Sequence, residues 1–150
     1  MADFEARDPD YESRVRASFL KQQFMVYLGA EMTSAHPGFC EIRLPFRPEL
    51  TQQNGFFHGG IVGTLADNAA GYASYSLMAA TDNILTVEYK LNIVAPADGS
   101  ELIARGHVLR PGRTLTVARS EVYALKNGTE VLCGSAQATM MRMEGSLPIK

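Results

Sequence analysis

The longest apolar run of the chain lies at its centre, between residues 59 and 79. A helix that is apolar on nearly all sides is buried in a domain or spans a membrane. Asp67, Asn68 and two glycines make this run a poor membrane span, which needs ~20 consecutive apolar residues. The pattern therefore predicts a central helix wrapped by the rest of the domain. Apolar and small side chains recur along it at the three- and four-residue steps of one helical face: Ile61, Leu65, Ala69, Tyr72, Ala73 and Ser76.

Alternating apolar and polar positions on both sides of this helix predict β-strands. Before it, residues 31–34 and 39–44 predict a hairpin about His36-Pro37-Gly38. After it, four strands are predicted, and the last two are joined at the hairpin signal Asn127-Gly128. Long antiparallel strands after one buried helix are typical of an α+β domain with a single curved sheet. The first of the four strands alternates Leu85, Val87, Tyr89, Leu91 and Ile93 with polar residues, and the last has a face of Leu132, Gly134, Ala136, Ala138 and Met140.

The N-terminal part of the chain has the pattern of an amphipathic helix. Between residues 11 and 28 the apolar stripe predicts one helix laid against the domain, with Arg14 and its basic neighbours in solvent. Residues 1–10 and 143–150 are predicted to be loose tails. No repeat or linker divides the chain, so residues 1–150 are predicted to form a single domain. The predicted stripe consists of Val15, Phe19, Leu20, Phe24 and Met25.

Asp67 is the acid inside the predicted central helix. A carboxylate there costs several kcal/mol unless it is paired, hydrogen-bonded or facing water, so it is either a structural acid or a functional one. The turn His58-Gly59-Gly60 favours function, because the free N–H groups of a first helical turn suit a developing oxyanion. Gly59 and Asp67 lie roughly 12 Å apart along one helix. If both are catalytic, they come from different copies of the chain, and the site lies at a dimer interface.

Three segments of the chain carry a family resemblance. They read QQNGFFHGGIVGTLADNAA from residue 52, TVEYKLNIVAPA from residue 86 and GRTLTVARSEVYA from residue 112. Together they resemble the PaaI-type hot-dog acyl-CoA thioesterases over residues 14–142. The resemblance implies one long helix wrapped by a curved antiparallel sheet, to which the N-terminal helix is added. It also implies a homodimer with two shared sites, often paired into a homotetramer.

The resemblance also implies roles for individual residues. It places the catalytic acid at Asp67, which either attacks the thioester carbonyl or activates a water as general base. It implies that the Gly59 N–H polarises the thioester oxygen. His58 is either a cap of the loop or a group near the thioester sulfur. Gln52 is the counterpart of a residue that orients the carbonyl or water, and Thr86 is either a partner of the carboxylate or an ordinary surface threonine.

Coenzyme A carries phosphates, so its site should offer cations and backbone donors. The segment Arg110-Pro111-Gly112-Arg113-Thr114-Leu115 resembles the family turn that borders CoA, and the alternative is a plain hairpin turn with two solvated arginines. Asn54, Gly60 and Asn68 are assigned further contacts with the substrate. A last group of residues lines either an acyl pocket or the core: Phe56, Phe57, Tyr72, Tyr75 and Met78.

Composition excludes several classes of function. A net charge of −2 gives no reason to expect nucleic acid as a partner. Cys40 and Cys133 stand alone, without the spacing of a zinc site, and the sequence predicts neither a metal nor a cofactor. The first residues lack the apolar segment of a signal peptide. The sequence therefore predicts a cytoplasmic protein with reduced thiols and no membrane partner.

The sequence thus predicts a thioesterase that hydrolyses an acyl- or aroyl-CoA to the free acid and CoA. One alternative is a non-catalytic module that binds or senses acyl-CoA. A less favoured alternative is a hot-dog acyl-CoA hydratase. Such hydratases typically use an Asp-x-Asn-x-x-His arrangement, which Asp67-Asn68 does not continue.

Overall fold

The structure is a computed structural model that describes residues 4–145. A short 3-10 turn at Pro48–Leu50 lies in the loop that leads into the third helix. In chain order the helices and strands are α1 (Tyr11–Leu20), α2 (Gln23–Leu28), β1 (Glu31–His36), β2 (Phe39–Pro45), α3 (Gly59–Tyr75), β3 (Asp82–Ile93), β4 (Glu101–Pro111), β5 (Leu115–Lys126) and β6 (Thr129–Glu144).

The six strands form one antiparallel sheet in the order β1-β2-β4-β5-β6-β3. The sheet curves around α3, which contacts all six strands. Gly106 of β4 lets the helix approach closely, because a Cβ at this position would collide with the carbonyl group of Ala69. The predicted hot-dog fold, one long helix wrapped by a curved antiparallel sheet, is confirmed. Strands β1 and β3 are the two edges of this sheet.

Helix α3 is buried on every side but one. Its alanines at 66, 69, 70 and 73 are fully buried against the sheet. No helix within residues 4–145 has both the length and the apolar run that a bilayer crossing needs. The remaining side of α3, which we call the open stripe, consists of half-buried or exposed residues at helical spacing: Gly60, Thr64, Asp67, Asn68 and Gly71.

The prediction of one helix over residues 11–28 is wrong. The segment forms two helices that are separated by Lys21 and Gln22. Leu20 and Phe24 were predicted to be buried and are instead 68% and 54% exposed. The break turns α2 relative to α1, so one continuous helical stripe does not describe both. The residues of the pair that do enter the core are Val15, Phe19, Met25 and Leu28.

Arg14 was predicted to be solvated and is instead held at the C-terminal end of α3. Its Nη2 donates to the carbonyl oxygen of Met78 at 2.9 Å. Its Nε pairs with the carboxylate of Asp8 at 2.7 Å, and Asp8 is only 6% exposed. Carbonyl groups just after a helix lack partners within it, which explains why a cation is stabilising here.

The predicted loose tails are partly ordered. Asp8 lies in the predicted N-terminal tail and is buried in its ion pair with Arg14. Met143 and Glu144 lie in the predicted C-terminal tail and belong to β6, where they pair with Asn83 and Asp82 of β3. Residues 1–3 and 146–150 lie outside the described part of the chain.

Strand β3 contains a bulge that changes which residues face the helix. Thr86 pairs with Met140 and Glu88 with Thr139 of β6, so Val87 is left without a partner. Before the bulge, even-numbered residues such as Thr86 face α3. After it, odd-numbered residues such as Leu91 do. The single apolar face predicted for this strand is therefore wrong, because a bulge shifts the alternation by one residue.

Among the remaining predictions, the hairpin turn at Asn127-Gly128 is confirmed. The central helix ends at Tyr75 and does not reach residue 79. One residue of the apolar face predicted for β6 is exposed. The turn at Asn127 and Gly128 joins β5 to β6 with positive φ values of 52° and 76°, as the Asn-Gly signal predicts. Cys40 and Cys133 are free and buried. Leu132 is 37% exposed because a bulge near Cys133 shifts the alternation of β6.

Candidate active site

Asp67 and Thr86 form a hydrogen-bonded pair on the open stripe of α3. The Thr86 hydroxyl donates to Oδ1 of Asp67 over 2.8 Å. The bulge at Val87 makes this contact possible, because it lets Thr86 and the apolar residues after it face the same helix. Of the two readings of Thr86, the structure favours the partner of the carboxylate over the surface threonine.

The surroundings of Asp67 alter its acidity. Burial raises the pKa of the carboxyl group above its ordinary value of 3.8, and the hydrogen bond from Thr86 opposes this rise. Burial disfavours the charged form because it removes water from the carboxylate, whereas a donated hydrogen bond favours it. A carboxylate with a raised pKa is a stronger base, which suits proton abstraction from water.

A cavity of about 270 Å³, here called the acid cavity, opens beside Asp67. Its wall combines polar side chains with the apolar surfaces of two tyrosines and of β3. Asn68, Tyr72 and Tyr75, all on α3, line it as the sequence suggested, whereas Phe56, Phe57 and Met78 do not. The residues that line the acid cavity are Ser18, Gln22, Asp67, Asn68, Gly71, Tyr72, Tyr75, Asn83, Ile84, Leu85 and Thr86.

Sequence reasoning missed six residues of this wall: Ser18, Gln22, Gly71, Asn83, Ile84 and Leu85. Ser18 and Gln22 come from the N-terminal segment, which was predicted only to cover the domain. Gln22 lies at the break between α1 and α2. The sequence gives no signal for that break, because Lys21-Gln22-Gln23 contains neither glycine nor proline.

The beginning of α3 is built from backbone groups. His58 is its N-cap, and its Nδ1 accepts the N–H of Gly60 over 2.9 Å. This fixes the capping role that was one of the two readings of His58. Since Nδ1 accepts, the neutral imidazole carries its proton on Nε2, which remains a donor. The Gly60 N–H is consumed by the cap and is not available to a substrate.

The Gly59 N–H is the free donor at this end of the helix. It reaches no acceptor within residues 4–145, as expected for the first residue of a helix. Gly59 is half-buried, and a Cβ there would lie 2.9 Å from Cδ1 of Ile93. The glycine therefore leaves this amide accessible while β3 packs close by.

Gln52 and Asn54 belong to the loop before α3. The side-chain oxygen of Gln52 accepts the backbone N–H of Asn54. Its backbone carbonyl accepts the N–H of Gly55 over 3.0 Å. Both side chains lie at the Gly59 end of the helix and away from Asp67, and Asn54 is exposed. In this structure the Gln52 carboxamide closes the loop.

The predicted CoA-contact segment 110–115 consists of the end of β4, the turn at 112–114 and the first residue of β5, and all six of its residues are exposed. It lies near the Thr86 end of β3, because Thr116 and Thr86 both pair with Met140 of β6. Two strand spacings separate these rows, which amounts to about 10 Å. Arg142 lies beneath the turn and is held by Asp82, with 2.9 Å between Nε and the carboxylate.

Within one chain the predicted site residues thus form separate groups. Asp67, Thr86 and Asn68 lie around the acid cavity. Gly59, His58, Gly60, Gln52 and Asn54 lie at the start of α3. The continuous helix between Gly59 and Asp67 keeps the two groups roughly 12 Å apart. Within residues 4–145 no group of three or more His, Cys, Asp or Glu side chains could hold a metal ion.

Comparisons with known proteins agree with this architecture. The model of the family described as thioesterase superfamily matches residues 54–131, just over half of the chain. The crystal structure of a thioesterase family protein from Silicibacter pomeroyi is 44% identical in sequence, with a TM-score of 0.89 over 90% of this chain and 99% of that chain.

Two further relatives are more distant. The PaaI protein of Escherichia coli has the same fold, with a TM-score of 0.81 at 19% identity over 91% of this chain and 96% of that one. Human acyl-coenzyme A thioesterase 13 is 31% identical over 87 residues, which are 56% of this chain and 60% of that protein.

Proposed function

This chain belongs to the thioesterase superfamily and is a thioester hydrolase, and we propose that it hydrolyses an acyl- or aroyl-CoA to the free acid and CoA. The observation that carries this proposal is the Asp67 carboxylate, which Thr86 holds at the mouth of a cavity. The similarity to human acyl-coenzyme A thioesterase 13 supports CoA as the thiol portion of the substrate.

Asp67 acts in one of two ways. As a general base it takes a proton from a water whose oxygen attacks the thioester carbonyl, and the CoA thiolate then leaves. As a nucleophile it attacks the carbonyl itself, the thiolate leaves, and water hydrolyses the resulting anhydride. The Thr86 hydroxyl fixes the carboxylate in either route. The raised pKa of Asp67 suits either route, because a more basic carboxylate is both a better proton acceptor and a better nucleophile.

The oxyanion that forms in either route needs a donor, and the Gly59 N–H fits that role. Removing one such donor costs an enzyme about 10² to 10³ in kcat. Gly59 is too far from Asp67 of its own chain to act on the same carbonyl carbon. The Gly59 of a second copy therefore completes each site, which makes the active unit a homodimer with two equivalent sites.

The edge strand β3 is the surface through which we expect the dimer to form. One side of β3 pairs with β6, and the other has no neighbouring strand within the described residues. An edge strand with apolar side chains is a template for pairing with another chain. Pairing about a twofold axis would set the two α3 helices side by side and antiparallel. The exposed apolar residues of this edge are Leu85, Val87, Tyr89 and Ile93.

A second association, of two dimers into a homotetramer, is part of the same proposal. Leu109, Val131 and Leu132 are 48%, 40% and 37% exposed on β4 and β6. Val131 and Leu132 are neighbours in β6, whereas Leu109 lies several residues away along the sheet. A contact that covers all three would therefore extend over much of the sheet surface.

The remaining predicted residues act on substrate binding. The segment 110–115 offers two exposed arginines to the CoA phosphates. The Nε2–H of His58 reaches no acceptor within residues 4–145 and suits the leaving sulfur. Gln52 and Asn54 shape the loop that carries His58, and Gly60 holds the imidazole in place.

The test is thiol release from a panel of aliphatic and aromatic acyl-CoAs by wild type and Asp67→Asn. Loss of the acid should reduce kcat/KM by about 10³, within the range for general acid–base groups. Asparagine keeps an acceptor for Thr86 and removes a half-buried charge, so folding and oligomeric state should persist. Binding of acyl-CoA without turnover by either protein would contradict the proposal.

A further inference from the structure

The acid cavity has a polar wall that the proposed chemistry does not use. Gln22 lies at the break between α1 and α2, and it is half-buried against α3. Its Nε2 donates to Oδ1 of Asn68 over 2.9 Å and to the hydroxyl of Tyr72 over 2.7 Å. Both N–H groups of this carboxamide are therefore consumed by two residues of α3.

The orientation of the Gln22 carboxamide follows from its neighbours. Asn68 donates from Nδ2 to the backbone carbonyl of Thr64 over 3.0 Å. A carbonyl can only accept, so Asn68 must turn its Oδ1 toward Gln22. Gln22 must then present its NH₂ group to Asn68.

This arrangement leaves Oε1 of Gln22 free. It accepts no hydrogen bond from a protein donor within residues 4–145. A carboxamide oxygen has two acceptor sites, and leaving it unpaired when a ligand covers it is costly. The other walls of the acid cavity include Tyr72, Tyr75 and Ile84, which suit the apolar body of an acyl group.

We propose that Gln22 is a specificity-determining residue of this site, which selects acyl groups that carry a hydrogen-bond donor, such as a hydroxyl, beyond the thioester carbonyl. The inference rests on the proposed function, because it takes the acid cavity as the place of the acyl group. An acyl group with a hydroxyl would satisfy the Gln22 oxygen. A purely apolar one would bury that oxygen without a partner.

The experiment compares pairs of acyl-CoAs that differ by one hydroxyl, octanoyl- with 3-hydroxyoctanoyl-CoA and benzoyl- with 3-hydroxybenzoyl-CoA. Wild type should show a kcat/KM at least about tenfold higher for the hydroxylated member of one pair or both, the size of one good hydrogen bond. Gln22→Met has a similar length and no acceptor oxygen, and it should bring the ratio close to one. A structural role alone would change both members of a pair equally.

The matched control is Gln23→Met, the same substitution at the neighbouring exposed position, which should keep the wild-type ratio. If Gln22→Met does not fold, Tyr72→Phe removes one anchor of the carboxamide and should lower the ratio severalfold. Turnover without preference in wild type, or an unchanged ratio in the Gln22 or Tyr72 variant, would overturn this inference and leave the thioesterase proposal intact. An absence of turnover with every acyl-CoA would overturn both.

Discussion

The two ends of the open stripe of α3 are built in different ways. Around Asp67 the site consists of side chains, with Thr86 from β3 on the carboxylate and Gln22 on the neighbouring Asn68. Around Gly59 it consists of backbone, a free amide that the N-cap of His58 keeps at the start of the helix. The first end offers a carboxylate that can accept a proton, and the second offers N–H groups that can donate hydrogen bonds.

Under the proposed function, the difference means that neither end is complete by itself. A carboxylate without a nearby donor cannot stabilise the oxyanion it creates. A helical amide without a base cannot activate water. Because α3 holds the two ends roughly 12 Å apart, the division of labour within one chain is itself an argument for two chains at each site.

The largest effect is expected from a variant that removes only the backbone N–H donor of Gly59. Gly59→Pro deletes the N–H, and proline is well tolerated at the first position of a helix. His58 has φ −63° and ψ 139°, which a following proline allows. We expect kcat to fall by about 10² to 10³.

Gly59→Ala is the matched control, because it adds the Cβ and keeps the N–H. The added atom meets only the flexible end of Ile93. Alanine should therefore retain most of the activity that proline loses. Equal losses in the two variants would mean that bulk and not the amide matters, and would remove Gly59 from the oxyanion site.

Mixing two inactive variants tests whether the two ends meet across chains. Asp67→Asn and Gly59→Pro, refolded together in equal amounts, should form mixed dimers in half of the population. Each mixed dimer has one intact site and one doubly defective site, so about a quarter of wild-type activity should return. Activity that stays at the level of the separate variants would show that each site lies within a single chain.

The smallest expected effect concerns the support of the acid. Thr86→Val removes the hydrogen bond that favours the charged carboxylate, so the pKa of Asp67 should rise further. The proposed activity needs the ionised carboxylate. As the pH is lowered, Thr86→Val should therefore lose activity at a higher pH than wild type does. Near neutral pH we expect a loss of about 10- to 100-fold, since hydrogen bonds to charged groups contribute about 1.5–3 kcal/mol. The pH profile of kcat/KM measures both.

Thr86→Ser restores the hydroxyl and should restore the profile. An acid limb that stays at the wild-type pH in Thr86→Val would show that Thr86 does not act on the protonation of Asp67.

Much of this fold follows from local patterns. The apolar run with its three- and four-residue steps predicted α3, and Asn127-Gly128 predicted the hairpin that precedes β6. Asp67 was identifiable as a candidate because a single acid in an otherwise apolar helix needs an explanation. In each case the signal lies within a few residues of the feature it predicts.

The features that could not be predicted depend on contacts between distant parts of the chain. The α1–α2 break places Gln22 against Asn68 and Tyr72, which lie far away in sequence. Arg14 likewise could not be placed from the sequence, because the Met78 carbonyl to which it donates is distant along the chain. The alternation of apolar and polar residues predicted that Thr86 lies on the polar side of a regular strand. The sequence pattern does not show where a strand contains a bulge, so this prediction missed the bulge at Val87.

That extra residue, Val87, affects β3 as a one-letter insertion affects a reading frame. Upstream of it, Ile84 and Thr86 are in phase with the helix. Downstream, Tyr89, Leu91 and Ile93 are. A regular strand could direct either the Thr86 hydroxyl or the apolar side chains after it toward α3, but not both. The shift of phase at one position lets the same twelve-residue strand supply both.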